Sequence, residues 1–238
     1  DFEGGFKAEI ASDLCAGCGD CVDVCRFDAV RESGSVYEMD PLSCEGCGVC
    51  ERSCPAEAIT SRRIKAGEWY VSATRAGPMV HARLGAGEEN SGQLVTLVRK
   101  RAVELAVGNS RPLVLVDGPP GTGCPAIAAL TGAHGVLVVT EPTLAGCHDL
   151  LRVLKLAAHF RIPAGICVNK WDINSDQADT IEREAAAAGA AVLPRVRYDR
   201  VFTGAQMRGR SVVEEESSRA GQDITAVWRA AVETFALA

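Results

Sequence analysis

Residues 15–25 read CAGCGDCVDVC, and residues 44–54 read CEGCGVCERSC. The second run repeats the spacing of the first, C-x-x-C-x-x-C-x-x-x-C, with 29 residues from Cys15 to Cys44. Three cysteines at two-residue intervals, helped by Gly17, Gly19, Gly46 and Gly48, can wrap three corners of an iron–sulfur cube. The fourth cysteine is expected to start a short helix and to reach the other cube. The spacing therefore assigns Cys15, Cys18, Cys21 and Cys54 to one [4Fe–4S] cluster, and Cys44, Cys47, Cys50 and Cys25 to the other. Zinc is the alternative, because paired C-x-x-C also builds zinc ribbons. Two complete four-cysteine runs favour the clusters.

The rest of the composition bounds the setting of these runs. The chain has 238 residues, room for one large domain or two small ones, and its 47% hydrophobic content allows a sizeable core. Eight of the 11 cysteines fall between Cys15 and Cys54. No basic stretch leading into an apolar one opens the chain, so no secretory signal is visible and a cytoplasmic location is expected. Cysteines this dense without such a signal point to metal binding before disulfides. The acidity is uneven: residues 1–65 hold 13 Asp/Glu against 7 Lys/Arg, and the remaining residues hold 18 of each. The first segment thus carries the whole net charge of −6. Such a surface disfavours nucleic acid and would steer a partner with a basic docking face; the alternative is a solubilising surface with no partner. The longest stretch without formal charge, Gly118–Thr140, is broken by Gly and Pro throughout, which excludes a membrane span there.

With the two runs in view, residues 8–66 resemble a bacterial two-cluster ferredoxin. FDAV after the first run and AEAI after the second match the pseudo-twofold pattern of that family. Arg26 follows Cys25 where the usual motif has Pro, whereas Pro55 follows Cys54. The departure concerns turn chemistry and leaves the ligand count intact.

Beyond residue 66 the texture changes to alternating strands and helices. PLVLVD, GVLVVTEP and AGICVNKWD are short apolar runs that end in polar or turn residues, as buried parallel strands do. Leu144, Cys147, Leu151, Leu154 and Ala158 follow helical spacing after Thr143, a candidate N-cap. Ser91–Val107 is a second helix, stopped by Gly108, and Ile181–Ala188 a third, closed by Gly189. Strand–helix alternation implies a doubly wound, mostly parallel α/β sheet with ligands at the carboxyl ends of its strands. The expected domains are therefore a small α+β two-cluster ferredoxin over residues 1–66 and an α/β domain over 67–238.

LVLVDGPPGTGCP, residues 113–125, sits at one such strand end. An Asp there can hold Mg²⁺ through its waters, and the Gly after it can offer a backbone N–H to a terminal phosphate. A bare strand-to-helix turn is the alternative. Taken with VTEPT, CHDLLRVLKLAAHF and VNKWD in order, the segment resembles the MinD/ParA-type P-loop ATPases, the deviant Walker group. RAGPMVHARLGAGEENSGQLV resembles the linker of members that carry an inserted ferredoxin domain. The resemblance implies ATP and Mg²⁺ as ligands, Asp117 as the Mg²⁺-linked switch residue, Gly118 and Gly121 as its phosphate-sensing turn, and Asn169 as a contact to the base. For Asn169 and Asp172 a polar turn after a strand remains the alternative. The resemblance further implies an ATP-bound homodimer.

A Walker A loop needs a Lys followed by Ser or Thr. The five lysines, Lys7, Lys65, Lys100, Lys155 and Lys170, are followed by Ala, Ala, Arg, Leu and Trp. The sheet is thus expected to be an incomplete version of the P-loop NTPase type. Its first strand–loop–helix unit is expected upstream of Asp1 or on a separate chain, and this chain alone is expected to be inactive as an ATPase.

Three function readings follow. ATP-gated electron transfer, by analogy with the nitrogenase iron protein, is favoured by eight ligands for two cubes. Cluster or cofactor assembly on a partner is the second; Mrp-type carriers use a bridging C-x-x-C, whereas Cys124, Cys147 and Cys167 stand 23 and 20 residues apart. A redox-sensing positioning protein is the third, but Asp223–Leu237, with Ile224, Val227, Ala231 and Phe235 and only Arg229 as a cation, makes a poor membrane face and a good core helix. Cys124 is expected to be a small buried residue starting a helix, and Cys147 and Cys167 core residues. His81, His134, His148 and His159 form no ligand pattern with any cysteine, and Glu214–Ser217 is expected to be a solvated loop.

Overall fold

The structure, a computed structural model, describes residues 1–85, 88, 92–215 and 218–237. It divides into two compact units, Asp1–Gly108 and Asn109–Ala238.

The first unit opens with β1 (Phe2–Ile10), α1 (Asp20–Val24), the hairpin β2 (Val30–Ser33) and β3 (Val36–Met39), and α2 (Val49–Ser53). β4 (Ile59–Thr74), β5 (Gly77–Leu84) and α3 (Gly92–Gly108) complete it. β1, β4 and β5 form an antiparallel sheet in that order, and β2 pairs with β3 through a two-residue Gly34–Ser35 turn. The cysteine repeat is a structural repeat as well. Ala29 and Ala58, 1% and 2% exposed, occupy matching buried positions, and each follows a residue in left-handed conformation, Asp28 and Glu57, both with φ 51°. Each short helix starts from a left-handed Gly, Gly19 or Gly48, and ends at a cysteine, Cys25 or Cys54. The fourth cysteine of each run therefore closes its helix, where the sequence pattern had it opening one. The third cysteine, Cys21 or Cys50, lies inside the helix.

β4 runs without a break through position 66, where Ala66 is buried with Phe2 and Leu94 and is flanked by Ile64, Trp69, Leu84 and Leu97. A strand cannot be divided where its residues hold a shared core, so the compact unit extends to Gly108, beyond the expected boundary at residue 66. The stretch expected as a linker forms β5 and the start of α3; its residues 86, 87 and 89–91 lie outside the described residues.

The second unit contains α4 (Cys124–Leu130), β6 (Val136–Thr140), α5 (Leu144–His159), β7 (Ala164–Val168) and α6 (Ser175–Ala187). β8 (Ala191–Val192), α7 (Val201–Met207) and α8 (Arg219–Phe235) follow. β6, β7 and β8 pair in parallel, in that order. β7 is apolar throughout because both its faces are covered. Ile166 and Val168 pack with Leu150, Leu154 and Ile181 from α5 and α6. Cys167 points to the other face and packs with Val227 and Ala231 of α8. Thr143 caps α5 as its sequence suggests, its Oγ1 accepting from Gly146 N at 2.9 Å. Ile224, Val227, Ala231 and Phe235 face the core, and no helix among the described residues is long and apolar enough to cross a membrane.

The first expected strand of this unit differs. Residues 112–117 take no strand pairing, and Leu115 is 80% exposed. A strand is defined by a neighbour that pairs with it. Among the described residues β6 pairs with β7 alone, and its Val139 is 59% exposed. Apolar content made these residues strand-like, but the pairing that would fix them is not present. Of Glu214–Ser217, Glu214 ends a short 3₁₀ turn, and residues 216 and 217 lie outside the described residues.

Backbone crowding at the repeat yields a test. Gly46 has φ 63°, and a Cβ there would lie 1.9 Å from the Phe6 carbonyl oxygen; Gly34 has φ 69° with nothing within 4 Å. Gly34→Ala should cost about 1–2 kcal/mol from conformation alone. Gly46→Ala should cost clearly more, because β1 must move. Thermal unfolding of the two variants under anaerobic conditions compares them, and equal losses would contradict the crowding.

Candidate iron–sulfur centre and nucleotide site

The eight cysteines of the runs occupy loops 11–19 and 40–48 and the two short helices that follow. Cys21, Cys44 and Cys50 are buried, Cys15, Cys25 and Cys54 half-buried, and Cys18 and Cys47 exposed. Cys15, Cys18, Cys21 and Cys54 line one cavity together with Tyr37 and Ile59. Cys44, Cys47 and Cys25 lie around Cys50, close enough for their charges to act on it. Each group thus takes three cysteines from one run and the helix-closing cysteine of the other.

Burial pushes the Cys21 and Cys50 thiols up, and the neighbouring cysteines of each group add to the shift. Thiolates packed this closely repel one another, and a metal that replaces their protons relieves both terms. Two sulfurs already accept backbone hydrogen bonds: Ala8 N donates to Cys44 Sγ at 3.4 Å, and Ala58 N to Cys54 Sγ at 3.3 Å. N–H groups aimed at ligand sulfurs are among the features that tune cluster potentials. Among the described residues, no three His, Cys, Asp or Glu side chains converge on a single ion. A zinc site needs four ligands around one point. A cube takes one thiol at each of four separate irons, which a grouping of three cysteines from one run and one from the other can supply. Lys7, which the cysteine spacing gives no reason to single out, donates from Nζ to the Cys44 carbonyl oxygen at 2.8 Å.

In the second unit, Asp117 is exposed, and its carboxylate makes no hydrogen bond or ion pair among the described residues. Gly118 lies beside α4, where a Cβ would be 3.9 Å from the Ala129 Cβ, and Gly121 turns the chain with φ 83°. Arg152 of α5 steadies this turn, donating from Nη2 to Thr122 Oγ1 at 3.0 Å. Asn169 is half-buried just past β7, with its backbone N–H donating to Thr140 O at 2.7 Å. Lys170, in left-handed conformation, pairs with Glu141 at 2.6 Å. Asp172 Oδ1 accepts from Tyr198 N at 2.7 Å, so its role in the structure is to hold a turn. Cys124 opens α4 but is exposed, against the expectation of burial: it starts the helix on its outer side, while Ala126, Ala129 and Leu130 face inward. Cys167 is 1% exposed, its thiol pushed up to about 11 by burial, and Cys147 packs half-buried against the core. His81 stacks on Tyr70 and shares a 2.9 Å hydrogen bond with Ser72.

Comparisons with known proteins agree with both halves. The 4Fe-4S binding domain family matches residues 37–60, which include the second cysteine run. The uncharacterized protein MJ0578 of Methanocaldococcus jannaschii is 33% identical over 165 residues, 69% of this chain and 56% of that protein. MJ0579 of the same organism is 29% identical over 116 residues, 49% of this chain and 42% of that protein. The chain therefore spans about half the length of the curated relatives it matches. Among solved structures, the MinD cell division protein of Aquifex aeolicus superposes with a TM-score of 0.54 at 19% identity, covering 68% of each chain. The MinC:MinD cell division protein complex of the same organism gives 0.51 at 20% identity, covering 68% of this chain and 66% of that one. The chain joins a 4Fe-4S binding segment to a MinD-like fold. The family match covers part of the cysteine-rich unit, and the parallel α/β sheet accords with the MinD-like fold.

Sequence reasoning missed the ion pairs that brace the sheet's carboxyl end. Arg195 bonds Glu182 at 2.5 Å and Asp179 at 2.7 Å and lies over the Trp171 ring. Arg197 grips both oxygens of Asp223 on α8, at 2.6 and 2.9 Å. Arg and Asp far apart in sequence carry no periodic signal, so only the fold pairs them. The Arg197 hydrogen bonds hold the Asp223 carboxyl below the usual carboxylate range. A depressed folded-state value means stability that is present at neutral pH and lost as pH falls through that value. Asp223→Asn should therefore destabilise the protein by about 1–3 kcal/mol at pH 7. The gap between variant and parent should close below about pH 4. Denaturant unfolding at pH 7 and pH 3 measures both.

Proposed function

We propose that the chain binds two [4Fe–4S] clusters, one held by Cys15, Cys18, Cys21 and Cys54 and one by Cys44, Cys47, Cys50 and Cys25. We propose further that it works as part of an iron–sulfur ATPase of the MinD/ParA type, in which nucleotide state gates one-electron transfer through the ferredoxin-like unit. The grouping of each helix-closing cysteine with the other run carries the first part, because that arrangement serves two cubes and wastes no ligand. The MinD-like fold and the free carboxylate of Asp117 beside a Gly-rich turn support the second. In this reading Asp117 holds Mg²⁺ through water, Gly118 and Gly121 present the turn to the terminal phosphate, and Asn169 meets the base. The phosphate-holding Lys comes from outside the 238 residues, since none of the five lysines precedes Ser or Thr. ATP would sit between two subunits. The partner is a redox protein with a basic docking face, attracted by the acidic first segment.

Anaerobically prepared protein should contain about eight iron and eight sulfide per chain. Two zinc ions per chain and no visible absorption would overturn the cluster reading. Cys25→Ser should impair the cluster held by Cys44, Cys47 and Cys50 and spare the one held by its own run; electron paramagnetic resonance of the reduced variant separates the two.

The chain alone should show no ATP hydrolysis above background, because the charge stabilisation supplied by a phosphate-binding Lys and loop is missing. When such a loop is supplied, Mg-ATP should change the relative affinity of the oxidised and reduced states about tenfold, a potential shift of about 59 mV. Potentials and partner reduction that ignore Mg-ATP would exclude gating. Cluster transfer to an apo-protein would then favour the assembly role.

A further inference from the structure

The internal repeat allows the surroundings of the two thiol groups to be compared position by position, and the comparison finds them unequal in charge. A Cβ on Gly17 would meet the Ser35 carbonyl oxygen at 2.5 Å, and one on Gly46 would meet the Phe6 carbonyl oxygen at 1.9 Å. These contacts correspond across the 29-residue repeat, so Val36 is the counterpart of Lys7. Beside Cys15 the counterpart position is apolar. Beside Cys44 it holds an ammonium, donating to the Cys44 carbonyl at 2.8 Å with its side chain only 14% exposed.

We propose that Lys7 makes the cage of Cys44, Cys47, Cys50 and Cys25 the higher-potential of the two, so that the first electron taken up rests there. The proposal depends on the two-cluster reading given above. Uptake is a one-electron step from an external one-electron donor, with no bond made or broken. It adds one negative charge to a cage, and a fixed positive charge nearby favours that state. Because Lys7 is largely shielded from water, salt screens it less than it screens surface charges.

The other charged groups near the two cages do not cancel this bias. Glu88 approaches Lys7 Nζ at 3.9 Å and offsets part of its charge, while the Cys44 carbonyl holds the ammonium against the cage loop at 2.8 Å. Over Gly48, Arg52 and Glu51 sit close together, at 3.5 and 3.9 Å from a built Cβ, and largely balance each other. Glu45 is exposed. At the first cage the position over Gly19 is filled by the neutral Tyr37 hydroxyl, and α1 carries Asp20 and Asp23 with no basic residue in its last turn. Asp20 and Asp23 lower the first cage relative to the second, whereas Glu45 and Glu88 work against the bias of Lys7 at the second. Arg26, where the partner run has Pro55, adds a further cation next to a ligand of the second cage.

The test is anaerobic redox titration of the full chain with both reduced signals followed by electron paramagnetic resonance. Cys18→Ser and Cys47→Ser, each altering one cage, assign the two potentials. Iron and sulfide analysis comes first, so that failure to hold two clusters counts against the two-cluster reading and not against the charge asymmetry. Expected are two resolved potentials with the Cys44 cage higher. Lys7→Met should cut the equilibrium preference for that cage about tenfold, about 59 mV, while Lys7→Arg preserves it. Val36→Lys should raise the first cage and narrow the split. In fully loaded protein, a split unchanged by Lys7→Met, or both potentials moving together, overturns the proposal. Should Lys7→Met fail to load, a first-cage potential unmoved in Val36→Lys overturns it instead.

Discussion

The first unit depends on thiols packed where a larger protein would place aliphatic side chains. Its central cluster of buried residues is Ala8, Cys21, Ala29, Cys44, Cys50 and Ile59, so half of that core is cysteine and only Ile59 is a large apolar side chain. Such a core stabilises little by area alone. What it does hold is eight sulfurs, on two loops and the short helices that follow them, kept in place by β1, the β2–β3 hairpin and the start of β4. Glycines at 17, 19, 46 and 48 all have positive φ, and those at 17 and 46 let the loops fold tightly against the Ser35 and Phe6 carbonyls. If metal binding and folding are linked here as they are in other small metal domains, then the cages are the core and the strands are their frame.

The repeat also shows how symmetry and function separate. Positions that set backbone shape are matched: the left-handed Asp28 and Glu57, the buried Ala29 and Ala58, and the glycines that meet Ser35 and Phe6. Positions that set charge are not matched: Lys7 against Val36, Arg26 against Pro55, Arg52 against Asp23. Geometry must be duplicated to build two cages of one kind. Charge is free to differ, and under the proposal above that difference would distinguish the two thiol groups.

Much of this was legible in the sequence, for reasons that follow from locality. The cysteine spacing is a local signal, and so are the apolar runs of β6 and β7, the Thr143 cap and the helical spacing of Ile224, Val227, Ala231 and Phe235. The failures involve contacts that no local window contains. Residues 112–117 are as apolar as β6, but a strand needs a neighbour to pair with. The 16 residues of β4 run through a composition change at residue 66 because Ala66 is buried against Phe2 and Leu94, which lie 64 and 28 residues away in the chain. Lys7 bears on Cys44 only because β1 passes beside that loop. The Arg197–Asp223 pair likewise joins residues 26 positions apart.

The second unit divides its polar groups into two kinds. At the carboxyl end of its sheet most of them are committed to each other. Lys170 is paired with Glu141, Asp172 with the Tyr198 backbone, Arg195 with Glu182 and Asp179, and Arg197 with Asp223. Groups satisfied in this way hold the strand ends in place and have little capacity left for a ligand. Asp117 differs, having a free carboxylate on a Gly-rich turn whose Thr122 is held by Arg152. A site that must respond to a ligand needs both properties, a braced frame and an uncommitted charge at its edge. That contrast is what the proposed role of residues 117–123 rests on, more than on the apolar run before them.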